Sequence, residues 1–274
     1  MLNKEFPLDA KSISRLGSNG LSLPAIRSQL NEGLDLSLEL WRAQGLNILK
    51  KQGYFFFDTK FIKIEDAEFC IVDIETNGSH LDRHQIIELS AIKVRDGKII
   101  DKFDTLVKCD VINKHITAIT GISVEDTQDA PQLKDVLYKF KLFLGDAIFI
   151  AHDVKFDYNF ISGSFEMYGL EPLLNRSLCS LALAERTVIS FRYALFYLNE
   201  LYSLNPNAQH HRAMSDVLTT FGLFKLSLEN CNEHLNNVED LIKFSKNAPR
   251  LKRPKFDPLK KEEEEKIEVE ETKE

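Results

Sequence analysis

Apolar and polar positions along this chain recur in two periods, one of strands and one of helices. Phe69-Cys70-Ile71-Val72 is continuously apolar and rich in β formers, the pattern of a strand buried on both faces. It anchors a strand over 67–75, and similar runs predict strands at 86–94, 99–107, 147–151 and 176–180. Asp96-Gly97 supplies a two-residue hairpin turn between the second and third of these. Helical spacing of apolar residues predicts helices over about 131–144, after Pro131, and about 153–168, with further helices beyond. Three antiparallel strands followed by alternating helices and strands make an α/β domain, a five-stranded mixed sheet flanked by helices.

The two ends of the chain read differently. Pro24 begins a helix, a second helix is predicted over about 34–51, and Gly53 to Ile64 reads as β structure. Residues 1–65 therefore form a small helical module with a hairpin. Such a module is either a winged helix that binds DNA or a partner, or a structural cap on the neighbouring sheet. No basic helix accompanies the hairpin, which favours the cap. The aromatic run Tyr54 to Phe57 reads as core in preference to a base-stacking surface, since only Lys60 and Lys63 lie near it on the C-terminal side. At the other end, residues 233–274 form a charged tail after the domain at 66–232. Pro249-Arg250-Leu251-Lys252-Arg253-Pro254-Lys255 is basic, and Lys261-Glu262-Glu263-Glu264-Glu265 opens an acidic stretch without apolar periodicity. That stretch is expected to be disordered, or a helix formed on binding.

Candidate chemistry sits where the strands end. Asp73-Ile74-Glu75 prolongs the first run with two acids one residue apart. Side chains on a strand repeat every two residues, so both carboxylates face one side and Ile74 the other. Like charges that close repel unless a cation lies between them. Thr76-Asn77-Gly78 then supplies a turn, which places the acids at a strand end, where open α/β sheets bind ligands. Val154, Asp157 and Ile161 recur at helical spacing, so Asp157 lies on the inward stripe of a helix with Asp153 as its N-cap. An acid there needs a partner or a metal. His211 and Asp216 are five residues apart, about 140° around a helix, and share no face. The spacing puts His211 in the loop before a helix and Asp216 within it, with Val217, Leu218, Phe221, Leu223, Phe224 and Leu226 making that helix largely buried. Carboxylates gathered in this way bind hard divalent cations, and Mg²⁺ and Mn²⁺ both suit oxygen ligands. His80, His84, His115, His152 and His234 stand in no comparable pattern and are expected as surface or packing residues.

Taken together, Asp73-Ile74-Glu75-Thr76, Phe156-Asp157 and the His-x-Ala-x-x-Asp segment ending at Asp216 resemble the three motifs of the DEDD superfamily of 3′→5′ exonucleases, histidine branch. The proofreading epsilon subunit of bacterial DNA polymerase III typifies that family. Gln85-Ile86-Ile87-Glu88-Leu89 and Ile119-Thr120-Gly121-Ile122, followed by Ala130-Pro131, add to the match, which covers about residues 66 to 230. The resemblance implies a ribonuclease H-like fold and two metal ions, Mg²⁺ or Mn²⁺. Asp73 would bridge the two ions, Glu75 and Asp216 would complete one site, and Asp157 would help hold the other. His211 would be the general base. Thr76, Asn77, Thr120, Gly121 and Phe156 would contact substrate. The implied substrate is a DNA 3′ end, mainly single-stranded, shortened with release of nucleoside 5′-monophosphates during proofreading. A 3′→5′ exoribonuclease and a non-catalytic scaffold of a replication complex are the alternatives. In the epsilon family the segment after the nuclease tethers it to the polymerase, so the C-terminal tail is a candidate contact for the DNA polymerase III alpha subunit; composition alone fits a solvated tail with no specific partner equally well. The chain departs from the family pattern at His152-Asp153, where His-Asn is frequent, at Asn77, where threonine is common, and at Cys179-Ser180, where Asp-Thr is frequent.

Composition narrows this picture only slightly. A chain of 274 residues with 43% hydrophobic content can bury a full core and carry an appendage. No long uncharged apolar run and no signal-peptide pattern is present, so a cytoplasmic protein without membrane contact is expected. The net charge of −7 argues against tight nonspecific duplex binding, although metals would supply positive charge in a cleft. Cys70, Cys109, Cys179 and Cys231 are widely spaced and read as reduced packing residues. No phosphate-cradling glycine-rich loop indicates ATP dependence.

Overall fold

The computed structural model describes residues 8–30, 32–209, 211–231 and 234–260. The acidic stretch Lys261 to Glu265 lies outside the described residues. The N-terminal module contains α1 (Ala10–Leu16), β1 (Leu21–Ser22), α2 (Leu23–Arg27), α3 (Leu34–Ala43), β2 (Ile48–Lys51) and β3 (Tyr54–Phe57), followed by a 3₁₀ turn at Asp58–Lys60. Its strands pair antiparallel in the order β1-β3-β2. The predicted second helix is shorter than its window because Gly45 intervenes, with φ +90 and the Asn175 amide where a Cβ would stand. Asn175 in turn donates to the carbonyls of Gly145 and Ala147 at 2.9 and 3.0 Å. The residues after Ala43 therefore turn, and Ile48–Lys51 pairs as a strand instead. β structure also stops early, at Phe57. The aromatic run splits by period two, with Phe55 and Phe57 buried and Tyr54 45% exposed.

The main sheet comprises β4 (Phe69–Thr76), β5 (Ile86–Arg95), β6 (Lys98–Leu106), β7 (Ile148–Ala151) and β8 (Ser177–Cys179), in the order β6-β5-β4-β7-β8. β4, β5 and β6 are antiparallel, whereas β7 and β8 run parallel to β4. This is the five-stranded mixed sheet expected from the sequence. Asp96 and Gly97 both take positive φ, which suits the two-residue hairpin joining β5 and β6.

Around this sheet stand α4 (Lys114–Thr120), α5 (Val124–Thr127), α6 (Leu133–Leu144), α7 (Val154–Met167), α8 (Ser180–Thr187), α9 (Leu195–Tyr202), α10 (Ala213–Glu229) and α11 (Val238–Asn247). Cys70, Val72 and Ile74 of β4 join one core with Phe140 of α6 and Phe160 of α7. Phe69 and Ile71 face the other way, into a core with Val217 and Phe224 of α10 and Leu241 of α11. The strand's period of two therefore assigns its odd-numbered residues to the α10 side, and this decides which helix the acids meet.

Two side chains lock the N-terminal module to this domain. Arg176 donates to both oxygens of the buried Glu239 at 2.7 Å and lies 4.2 Å over the Phe57 ring. Glu239 also accepts from Thr59 Oγ1 at 2.7 Å. After α11 the basic segment is extended and pinned. Leu251 N–H donates to the Glu185 carbonyl at 2.8 Å, and Arg250 and Arg253 pair with the buried Glu185 carboxylate. Arg253 also lies over Tyr193, and Tyr197 donates to Asp257. A buried carboxylate needs cations, and this explains why the described part of the expected loose tail is held. All four cysteines are free, and Cys70 and Cys109 are buried. No described helix is long and apolar enough to cross a membrane.

Candidate active site

Asp73 and Glu75 lie at the C-terminal end of β4. Ile74 between them is 5% exposed and belongs to the α6–α7 core, so the two acids face α10. α10 begins at Ala213, which leaves His211 in the preceding loop and Asp216 in the first helical turn, as the spacing predicted. Glu75, His211 and Asp216 each offer a ligand atom, and these atoms lie within 4.8 Å of one another. Asp157, in the first turn of α7, is 4% exposed, and its charge acts on Asp73. His211 is exposed and takes φ 60.

The cluster's electrostatics are those of anions confined together. Burial, followed by the charges of Asp157, Asp216, Glu75 and Glu88, holds the Asp73 carboxyl well above its ordinary range. Burial and the neighbouring Asp216, Glu88 and Asp157 push Glu75 up to about 8, against a smaller opposing effect from Arg212. Burial raises Asp157 to about 7, although the N–H groups of Asp157 itself and of Ile74 pull the other way. Such a set accepts either protons or metal cations.

The residues expected to touch substrate differ in what they can offer. Phe156 is 40% exposed beside Asp157, its ring 5.6 Å from Phe160. Thr76 is half-buried at a bulge where the β4–β5 register shifts. The Asn77 amide is engaged, donating to the Val111 carbonyl at 2.8 Å and accepting from Gln85 N–H at 2.7 Å. The Thr120 hydroxyl is also committed, donating to Ile116 O and accepting from Ile122 N–H at the end of α4. Gly121 closes that helix at φ 70, a conformation that favours glycine. Beside the Asn77 turn opens a cavity of about 380 Å³, lined by Arg83, His84, Ser164 and Tyr168 among others. Ser164 is seven residues after Asp157, hence on the same stripe of α7 and about 10.5 Å along it.

Two of the places where the chain departs from the family pattern, His152-Asp153 and Cys179-Ser180, meet through His152 and Ser180. The half-buried His152 ring contacts Ser180 Oγ at 3.0 Å and the Tyr193 carbonyl at 2.8 Å, and burial lowers its pKa. It is a packing residue. Asp153 is the N-cap position of α7 but takes φ 68 and makes no side-chain cap. The left-handed region tolerates asparagine and aspartate alike, so either residue can stand at this place.

Sequence reasoning missed the role of Glu88 and Arg212. Arg212 donates to Glu88 Oε1 from Nη2 at 2.9 Å, and Ala213 N–H donates to Glu88 Oε2 at 2.9 Å. A signal was present in the sequence: one acid inside the apolar run Ile86-Ile87-Glu88-Leu89 requires a partner.

The exonuclease family profile matches residues 70–224, from the start of β4 to within α10. The chain belongs to the exonuclease family. Among curated relatives, the DNA polymerase III PolC-type protein of Staphylococcus haemolyticus (strain JCSC1435) is 33% identical over 193 residues, covering 69% of this chain and 13% of that protein. The PolC-type protein of Staphylococcus aureus (strain bovine RF122 / ET3-1) is 34% identical over 165 residues, covering 60% of this chain and 11% of that protein. This exonuclease-family chain thus spans only a small part of the length of those relatives. Among solved structures, Exonuclease X in complex with 5′ overhanging duplex DNA superposes with a TM-score of 0.52 at 24% identity, covering 65% of this chain and 99% of that one. E. coli Exonuclease I in complex with a dA16 oligonucleotide superposes with a TM-score of 0.55 at 18% identity, covering 60% and 41%. The mixed sheet and its helices are therefore the ribonuclease H-like exonuclease fold.

Proposed function

We propose that this chain is a metal-dependent 3′→5′ exonuclease that hydrolyses phosphodiester bonds at DNA 3′ ends, releases nucleoside 5′-monophosphates and proofreads in DNA replication. The convergence of Glu75, His211 and Asp216 within 4.8 Å, with Asp73 and Asp157 beside them, carries this reading. The donor set fits divalent metal, because crowded carboxylates with raised proton affinity are relieved by a cation and offer hard oxygen ligands. Asp73, Glu75, Asp157 and Asp216 would hold two ions, Mg²⁺ or Mn²⁺. When bound, the ions would stabilise charge on the attacking and leaving oxygens at phosphorus. His211, exposed at the mouth of the cluster, would take a proton from the attacking water. Phe156 would present a ring face to the terminal base. Thr76 would border the nucleotide, while Asn77, Thr120 and Gly121 would shape its seat through their backbone, since the Asn77 and Thr120 side chains are engaged.

DNA is favoured as substrate by the named relatives, which are DNA polymerases, and by the DNA-bound structures that share the fold. We divide the chain into a module at 1–65, the exonuclease at 66–232 and a C-terminal segment at 233–274, whose α11 packs into the exonuclease core before the charged tail begins. Because the tail is pinned to the exonuclease as far as Asp257, contact with the DNA polymerase III alpha subunit would fall to the residues that follow. The test is digestion of 5′-labelled single-stranded DNA and RNA of one sequence with Mg²⁺, using wild type, Asp73→Ala, His211→Ala and an EDTA control. A ladder shortening from the 3′ end of DNA faster than RNA, lost in both variants and in EDTA, is expected. Cleavage that survives both variants would sink the assignment, and a preference for RNA would replace proofreading with RNA trimming.

A further inference from the structure

Glu88 stands directly opposite Glu75 in the β4–β5 ladder and is 3% exposed, yet it is not one more metal ligand. Both of its oxygens are spent. Oε1 accepts from Arg212 Nη2 at 2.9 Å and Nε at 3.2 Å, and Oε2 accepts from the Ala213 backbone N–H at 2.9 Å. Ala213 is the first residue of α10, whose N-cap residue, Arg212, makes no side-chain cap. A carboxylate from a strand therefore satisfies an orphan N–H at the start of a helix.

The placement of this contact is what gives it meaning. His211 directly precedes Arg212 and sits at φ 60, a conformation that a non-glycine residue keeps only when its surroundings hold it. Asp216 follows three residues after Ala213, within the first turn. The two α10-side members of the cluster thus flank the point where β5 grips α10. The Arg212 side chain is 45% exposed and that of Glu88 only 4%, so a solvent-reached cation answers a buried carboxylate that needs a partner, and the pair ties the start of α10 to β5.

We propose that Glu88 and Arg212 are positioning residues, whose ion pair, together with the Glu88–Ala213 hydrogen bond, fixes the start of α10 so that His211 and Asp216 remain in reach of Glu75. The proposal rests on the exonuclease reading above and adds to it two residues that act through others.

Single-nucleotide release from a labelled DNA oligonucleotide is measured for Glu88→Ala, Glu88→Gln, Arg212→Ala and the double variant Glu88→Ala/His211→Ala. Amide hydrogen exchange is followed in the same proteins. Glu88→Ala and Arg212→Ala are expected to lower kcat by about 10²-fold, the order that a misplaced group costs, with KM within about twofold. Glu88→Gln, which keeps an acceptor for Ala213 N–H, recovers part of the loss. In the His211→Ala background, Glu88→Ala adds less than about threefold, because groups that act as one unit are not additive. Exchange across 211–216 speeds up in Glu88→Ala while β4 amides stay protected, which also shows that the variant is folded. A full second loss in the double variant, or unchanged exchange over 211–216, overturns the proposal. If wild type releases no nucleotide, the exonuclease reading fails, and the exchange comparison still decides whether Glu88 holds α10.

Discussion

Glu75 and Glu88 face each other across the β4–β5 pair, and Glu88 is the one hydrogen-bonded to Arg212. Glu88 meets Arg212 and an amide N–H, whereas Glu75 meets Asp216 and, with it, further acids. Like charges directly opposite on a sheet destabilise it, and a divalent cation at the cluster would relieve that repulsion.

A pH dependence of stability follows. Glu75 moves from 4.5 to about 8 on folding, so between these values the folded state binds protons that the unfolded state has released. Stability of the EDTA-treated protein therefore falls as pH rises through that window. Thermal melts at pH 5.5 and 8 should differ by at least about 1 kcal/mol, or roughly 2–4 °C for a domain of this size. Saturating Mg²⁺ at about 100 times Kd should add about 2.7 kcal/mol, chiefly at the higher pH. A melt in EDTA that improves toward pH 8 would contradict this account.

Removing one anion should separate stability from function. Asp157→Asn leaves the fold of α7 intact and relieves the repulsion felt by Asp73. The variant is expected to melt higher than wild type in EDTA, to gain less from Mg²⁺, and to lose about 10³-fold in nuclease rate. Paired melts with and without metal, alongside the oligonucleotide assay, check all three.

Arg176 and Glu239 give a third expectation. Deleting one partner of a buried, hydrogen-bonded pair strands the other, which costs about 3–5 kcal/mol. Glu239→Ala and Arg176→Ala should each lower the urea midpoint by that equivalent. The double variant Arg176→Met/Glu239→Leu should recover a large part of it, and a double variant as weak as the sum of the single ones would argue against the stranded charge.

Asp153 is a departure from the family pattern that the fold accommodates. It occupies the left-handed region without a side-chain cap, and it is exposed. Asp153→Asn should leave stability within about 0.5 kcal/mol of wild type, since the left-handed region tolerates both residues, with nuclease rate retained. A differential scanning measurement and the standard digestion are sufficient to decide.

How legible all this was in the sequence depended on distance along the chain. The side shared by Asp73 and Glu75 followed from a period of two, and the split between His211 in a loop and Asp216 in a helix followed from a spacing that fits no helical face. The strands from 69 to 106 announced themselves through apolar runs and the Asp96-Gly97 turn. What stayed hidden was decided by partners far away. The end of α3 depends on Asn175 filling the space at Gly45, and the pinning of Arg250 and Arg253 depends on buried Glu185. Glu88 could be seen to need a partner, but nothing local pointed to Arg212, which lies 124 residues later.

The bond from Thr59 to Glu239 joins positions 180 residues apart, and it bears on the order in which the molecule can be assembled. During synthesis, at ~5–20 residues per second, the N-terminal module emerges roughly 10–35 s before the carboxylate that closes over it. Through that interval Phe57 and Thr59 wait at an unfinished seam. The nascent chain thus carries a built-in delay, and α11 supplies the carboxylate that completes a seam whose other side was made 180 residues earlier.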